Sequence, residues 1–340
     1  MKAIKQVGYG GPEVLVEEDT SIPEPGEGEL LLKVEGCGVC YRDTLVRRGE
    51  MRAKIPVTPG HELAGRVVEI GAGVDGFSKG DLVASLIYSF PKNCPRGQEN
   101  VCRGNEWLGE DRDGCYAEYV TVPHWIVVKI GDPGQASPES FSFAACVVGT
   151  AYRALKTRAE AQKGETVLIT GAGGGLGIHS VQVAKALGLR VIAVTRSEEK
   201  ARVLEKHGAD HVVVYGQEGF HREVKKLTDG MGADIVMENV GGPTLDQSLR
   251  SVKKGGRVIL TGNVDPRPQE LLLGLIILKE TGLWGSLNST LCDLEKAVEL
   301  LRTGKVKPVY TTIPLEVNHV RRAHAILEKG GSLGRVVIRP

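Results

Sequence analysis

The segment Thr166-Val-Leu-Ile-Thr-Gly-Ala-Gly-Gly-Gly-Leu-Gly constrains this chain more than any other. An apolar run suited to a buried strand passes through a glycine turn into a helical pattern. In register it reads Ala172-x-Gly174-x-x-Gly177, with Gly171, Gly173 and Gly175 adding slack. Glycines let the backbone approach a pyrophosphate, whose charge meets the free N–H groups at the N-terminus of the next helix. Gly174, Gly175, Leu176 and Gly177 are therefore the expected phosphate-binding turn. A ligand-free surface turn is the bland alternative, and the texture that follows argues against it. Arg190-Val-Ile-Ala-Val, His211-Val-Val-Val-Tyr, Asp234-Ile-Val-Met, Arg257-Val-Ile-Leu and Gly282-Leu-Trp read as further strands, and helical stretches such as 177–187 and 198–206 separate most of them. Continuous apolar strands alternating with helices predict a doubly wound parallel sheet.

The end of the second strand decides which dinucleotide fits. An NAD site places an acid about 20 residues on, to bind the ribose 2′-hydroxyl. Here the residues are Val194-Thr195-Arg196-Ser197, with Lys200 close by. With no carboxylate and two cations suited to a phosphate, Thr195, Arg196, Ser197 and Lys200 predict NADP(H). The alternative for Arg196 is a solvated surface charge.

The first half reads differently. Short apolar segments such as Glu29-Leu-Leu-Leu-Lys-Val and Gly65-Arg-Val-Val-Glu-Ile, punctuated by Pro and Gly, predict an all-β domain. Arg335-Val-Val-Ile at the far end is expected to return to it. At 340 residues the chain has room for two domains. Lys+Arg 43 against Asp+Glu 42 gives no basic or acidic bias, so neither nucleic acid nor a membrane surface is expected as partner. No leader or membrane-length apolar run is visible, which reads as a cytoplasmic protein acting on a small molecule. Five Phe, eight Tyr and three Trp are few, a composition that suits a thermophile. The seven cysteines are too many to ignore and too few for a disulfide scaffold of this size.

Three short motifs give some of those cysteines a chemical setting: Gly36-Cys-Gly-Val-Cys40-Tyr-Arg-Asp43, Pro59-Gly-His61-Glu62 and Ala145-Cys146-Val-Val-Gly-Thr150. In order and spacing they resemble the zinc-dependent alcohol dehydrogenases of the medium-chain dehydrogenase/reductase superfamily, over essentially the whole chain. The resemblance implies a GroES-like β-barrel catalytic domain (1–150 and 288–340) around an inserted Rossmann domain (151–287), with zinc in the cleft between them. It implies Cys40, His61 and Cys146 as catalytic zinc ligands, leaving a fourth position open. Glu62 would be the nearby acid that approaches the metal, Asp43 the carboxylate that orients the histidine, and Thr150 a nicotinamide contact. Asn239, Val240, Gly262, Asn263, Val264, Gly285 and Ser286 would hold the carboxamide, and Trp107 would lie near the substrate or in the core. The terminal strand of the α/β domain would pair with its twin, giving a homodimer or homotetramer. The implied activity is hydride exchange between NADP(H) and an alcohol or ketone carbon.

Two departures bear on that activity. Where alcohol dehydrogenases of this kind carry a hydroxyl and often a relay histidine, this chain has Arg42 and Leu45. Arg42 either orients a substrate or cofactor anion or packs against a neighbouring acid. Cys94 and Cys102 match the last two ligands of the family's structural zinc, but Tyr88 and Pro91 replace the first two, so no structural zinc is expected. Those two thiols are either free or, in a hyperthermophile, bridged. Cys37, Cys115 and Cys292 read as fillers. Cys40-Tyr-Arg-Asp43, Gly174-Gly-Leu-Gly-Ile-His179 and Leu260-Thr-Gly-Asn-Val-Asp265 are also similar to an archaeal branch that includes acryloyl-CoA reductases, the second expected activity. A zinc-free quinone-oxidoreductase-like relative is the third.

Overall fold

The computed structural model describes residues 1–216, 218–265 and 267–340, and its contacts divide the chain into two units. The first comprises residues 1–149, 289–304 and 310–340. Its seven-stranded sheet runs in the order Tyr310–Pro314, Arg335–Arg339, Glu29–Val39, Glu62–Ile70, Leu82–Ser85, Val127–Lys129, with Tyr119–Pro123 also paired to Glu29–Val39. All pairings are antiparallel except that of Tyr310–Pro314 with Arg335–Arg339. Leu30, Leu32, Val34, Leu63, Val67 and Val83 are buried within it. The register sets Gly38 opposite Glu62, Cys37 opposite Leu63 and Val39 opposite Val336. The adjoining ends of these central strands thus bring Cys40 and Glu62, far apart in sequence, close together.

The second unit comprises residues 150–288 and 305–309. Its six strands are all parallel, in the order His211–Val214, Arg190–Thr195, Thr166–Ile169, Ala233–Glu238, Val252–Leu260, Gly282–Gly285. Strand order reverses between Thr166–Ile169 and Ala233–Glu238, the switch point where such sheets bind ligands at their carboxyl ends. Leu168, Ile192, Val194, Val236 and Val258 fill the core beneath the helices. Residues 305–309, which the sequence reading gave to the first domain, belong to this unit. The Gln182 amide donates to the Lys307 carbonyl and accepts from its N–H, and Val309 N–H donates to His179 Nε2. Among the described residues no helix is long and apolar enough to cross a membrane.

Candidate active site

In the first unit, Cys40 lies just past the strand Glu29–Val39 and caps the helix Tyr41–Arg48. Its N–H donates to Asp43 Oδ2 at 2.8 Å, and the helix N-terminus favours a thiolate there. Glu62 opens the next strand, and His61 immediately precedes it. Gly60 before them has φ +94°, and a Cβ there would lie 2.3 Å from the Tyr116 ring and 2.8 Å from Cys37 Sγ, so only glycine fits. Cys146 comes from a π-helical stretch, Ala144–Gly149, an irregularity often found at functional sites.

The register brings Cys40, His61, Glu62 and Cys146 together, with one ligand atom of each within 4.8 Å of the others. Cys40 Sγ and Cys146 Sγ are 4.0 Å apart, and Cys146 Sγ lies 3.7 Å from His61 Nε2. Tetrahedral zinc bonds of about 2.3 Å to sulfur and about 2.0 Å to nitrogen would space these atoms about 3.8 and 3.6 Å apart, so the donors fit that ion. The other ring nitrogen, Nδ1, is 2.9 Å from Asp43 Oδ1. That contact leaves the Nε2 lone pair facing the thiols. The hydrogen bond between the thiols holds Cys40 well below the usual thiol range and raises Cys146, the two sharing one proton. Burial works against a charged His61, but Asp43 more than offsets it and raises the imidazole well above its ordinary value.

Several partners in this cluster went unnoticed in the sequence. Arg335 grips the fully buried Glu62 with two guanidinium nitrogens, Nε at 2.9 Å. Burial raises the Glu62 carboxyl, and Arg335 counteracts it. Tyr116 donates to Asp43 Oδ2 at 3.0 Å, and its oxygen is 3.2 Å from His324 Nε2. Burial holds His324 down to about 4, with Asp43's charge opposing it, and its Nδ1 has no hydrogen-bond partner among the described residues. The unfolded chain therefore takes up a proton below about pH 6.5 that the folded one refuses until about pH 4. Native stability attributable to His324 falls across that window by on the order of 3 kcal/mol. Denaturant titrations should show it, and His324→Phe should flatten the slope by about one proton.

Arg42 points to an acid. Its Nε and a terminal nitrogen contact the two oxygens of Glu110 at 2.5 and 2.9 Å, and its guanidinium carbon stacks 4.3 Å above Trp107. Trp107 packs in turn on Tyr88. Of the two readings for Arg42, the structure shows the ion pair. It still lies near enough to Cys40 and Cys146 for their charge to help raise its pKa. Cys94 and Cys102 are joined in a disulfide.

In the second unit, Gly174 caps the helix Gly175–Ala186. A Cβ on Gly177 would come within 2.5 Å of Ala172 Cα, so glycine permits the helix to approach the turn. Lys200 lies across this turn, its Cδ 2.6 Å from where a Gly173 Cβ would stand. Arg196 is exposed, and burial together with the Arg196 charge lowers the Lys200 pKa. Ser197 accepts from Lys200 N–H as a helix cap, and Thr195 is buried at the strand end. Thr150 is buried where this unit begins. Asn239 donates to the Thr170 carbonyl, and Val264 N–H donates to the Val240 carbonyl. Gly262 passes so close to Asn239 that a Cβ would meet its carbonyl oxygen at 2.1 Å, and Asn263 stands against Gly241. Gly285 and Ser286 end the edge strand. Ser286 Oγ is buried without a hydrogen-bond partner among the described residues, an orphan that an amide ligand would satisfy. Glu238, which no sequence signal marked, is fully buried and accepts from Thr170, Thr244, Ser248 and the Val240 and Gly241 N–H groups. It fixes the turn that carries Asn239 and Val240.

A parallel sheet with a glycine turn at its switch point, and a β unit bearing two thiols, an imidazole and a carboxylate, define a metal-dependent nicotinamide oxidoreductase. Residues 175–303 match the zinc-binding dehydrogenase family, and residues 26–132 match the alcohol dehydrogenase GroES-like domain. The chain is 41% identical to an acryloyl-coenzyme A reductase of Metallosphaera sedula, covering 99% of both chains. It is 35% identical to a Sulfurisphaera tokodaii NAD-dependent alcohol dehydrogenase, covering 100% of both. The crystal structure of the alcohol dehydrogenase from Aeropyrum pernix superposes with a TM-score of 0.91 at 31% identity, again over 100% of each chain. The chain belongs to the zinc-type alcohol dehydrogenase family of the medium-chain dehydrogenase/reductase superfamily.

Proposed function

We propose that this oxidoreductase uses NADPH to reduce an enoyl thioester of the acryloyl-CoA type, with one zinc held by Cys40, His61 and Cys146. The observation that carries this reading is Arg42. The position that would otherwise offer a hydroxyl for relaying an alcohol proton holds a guanidinium locked by Glu110 and Trp107. Reduction of a conjugated double bond needs no such relay. Hydride adds to the β-carbon, the α-carbon takes a proton from water, and the thioester oxygen carries negative charge only in passing. The name of the Metallosphaera relative points the same way.

The bound cofactor would supply the hydride, and zinc at these donors would supply Lewis-acid polarisation of the substrate carbonyl. The chain's own residues set the stage. Asp43 holds His61 in one tautomer, and Arg335 counters the burial that raises the Glu62 carboxyl beside the thiols. Carbonyl reduction or alcohol oxidation is the second reading, favoured by the intact sulfur and nitrogen donor set, which also weighs against the zinc-free quinone-oxidoreductase-like relative.

Cofactor oxidation with acryloyl-CoA, a bulky aromatic ketone and an aldehyde tests this directly. The thioester should exceed the others at least ~10-fold in kcat/KM, where each factor of ten is about 1.4 kcal/mol of transition-state binding. Turnover of ketone or aldehyde without the thioester would sink the first reading, and less than one zinc per chain would sink the metal assignment. For the cofactor, Arg196→Ala with Lys200→Ala should cut kcat/KM for NADPH by about 10–100-fold and leave NADH almost unchanged, the loss of one to two charge-assisted contacts. Equal losses for both cofactors would remove the basis for NADPH. We also propose a homodimer or homotetramer through the edge strand Gly282–Gly285, where Trp284 and, on the neighbouring helix, Leu273, Ile277 and Leu278 are exposed. Light scattering of the purified protein would show a monomer if this is wrong.

A further inference from the structure

Cys37 and Cys115 are 0% and 1% exposed, and their sulfurs stand 2.7 Å apart, 78 residues apart in sequence. From sequence alone both read as fillers. Their separation is about 0.7 Å more than a disulfide bond of about 2.0 Å. Each lies on or against a segment that carries a member of the donor cluster. Cys37 is on Glu29–Val39, three residues before Cys40. Cys115 lies against the other segment: its N–H donates to the Gly60 carbonyl at 3.0 Å and its Sγ is 3.5 Å from the Glu62 carbonyl oxygen. Gly60 is barred from carrying a side chain by Cys37 Sγ itself and by Tyr116, the residue after Cys115.

We propose that Cys37 and Cys115 are a disulfide-forming pair, a second bridge beside Cys94–Cys102, tying the strand that leads to Cys40 to the segment that hydrogen-bonds Gly60 and Glu62. Both are unlinked thiols in this structure. The bond forms by exchange with a small disulfide such as glutathione disulfide. One protein thiolate attacks a sulfur of that reagent and expels a glutathione thiolate. The second protein thiolate then attacks the protein-bound sulfur and expels the other. Two protein thiols lose two protons and two electrons, and the reagent leaves as two thiols. Burial raises the Cys37 thiol well above its ordinary range, so exchange on the closed structure is slow. The bridge is therefore made while the chain folds, and afterwards the same burial shields it from reductants.

This accounts for the cysteines differently from a single bridge. Of the seven, Cys40, Cys146 and Cys292 remain as thiols if both bridges form, and five remain if only Cys94–Cys102 does. The test is to refold the full chain with zinc in a mixture of glutathione and its disulfide, then denature it in alkylating reagent and chelator without reduction. Expected are three alkylated thiols and a tryptic species joining peptides 34–42 and 113–129, with fragment ions placing the bond at Cys37 rather than Cys40. Alkylation of both Cys37 and Cys115 in most molecules overturns the proposal, as does a bond from Cys115 to any other cysteine. A second measurement compares thermal midpoints of the refolded wild type and Cys37→Ala/Cys115→Ala. A lost buried bridge should lower the midpoint by about 5–15 °C. The Cys94→Ala/Cys102→Ala protein, with Cys37 and Cys115 intact, should keep the 34–42 to 113–129 link.

Discussion

Replacing His61 with alanine should leave the purified protein with about a tenth of a zinc per chain or less, and lower kcat/KM by about 10³-fold or more, roughly 4 kcal/mol of transition-state stabilisation. His61 is 2% exposed, and its Nε2 stands 3.7 Å from Cys146 Sγ within the donor cluster. Alanine removes that donor and leaves two sulfurs and Glu62, whose carboxylate Arg335 already engages. It also strands Asp43, whose Oδ1 loses its imidazole partner inside the protein. Effects should fall off with distance from the donors. Asp43→Asn keeps the shape but weakens the hold on the ring, and should reduce zinc affinity by about 10–100-fold. Tyr116→Phe removes only one donor to Asp43 and should cost a few-fold. Metal analysis after dialysis against graded chelator, with turnover measured in parallel, reads the whole series. A His61→Ala protein that still binds one zinc would refute the ligand assignment.

The parts of this site legible in the sequence are those whose chemistry is local. The glycine turn is short, its register is fixed by the strand before it, and the absence of an acid after Val194 is a single-position observation. The three motifs that supply the donor cluster were legible only together, through the resemblance, since a lone cysteine or histidine has several commoner uses. What stayed hidden depends on register and burial. Arg335 sits at the start of a strand that the sequence returned to the β domain, yet only the pairing of Val336 with Val39 shows that its head group lands on Glu62. Cys37 and Cys115 come from separate segments that close on Gly60, and nothing in their spacing signals that approach. Glu238 looks like any acid at the end of a strand. Its five acceptor contacts come from three elements and become visible only once the turns after Ile169 and Glu238 are side by side. Arg42 shows the opposite limit: the sequence posed the correct alternatives, and the choice required knowing where Glu110 stands.

Arg335→Met should be among the most destabilising single substitutions in the first unit, by about 3–5 kcal/mol, because it leaves a buried carboxylate without its counter-charge. Glu62 is 0% exposed, and the Arg335 side chain 8%. Against the pair's mutual attraction stands the cost of burying two charges, so the pair itself adds little over an apolar replacement of similar shape. Breaking it is another matter. Glu62 packs so closely on the strand Glu29–Val39 that a Cβ on Gly38 would overlap its Oε2 at 1.9 Å. The double variant Glu62→Gln/Arg335→Met should therefore recover most of the loss, whereas a pair whose attraction outweighs its burial cost would leave the double variant about as destabilised as the single one. Thermal unfolding of the zinc-loaded proteins distinguishes these outcomes, since 3–5 kcal/mol corresponds to a fall of about 6–20 °C in a domain of this size. Recovery of the midpoint without recovery of turnover would separate the two roles of Glu62. Its charge would then be needed beside the thiols for catalysis, and Arg335 would be the residue that makes keeping a carboxylate there possible.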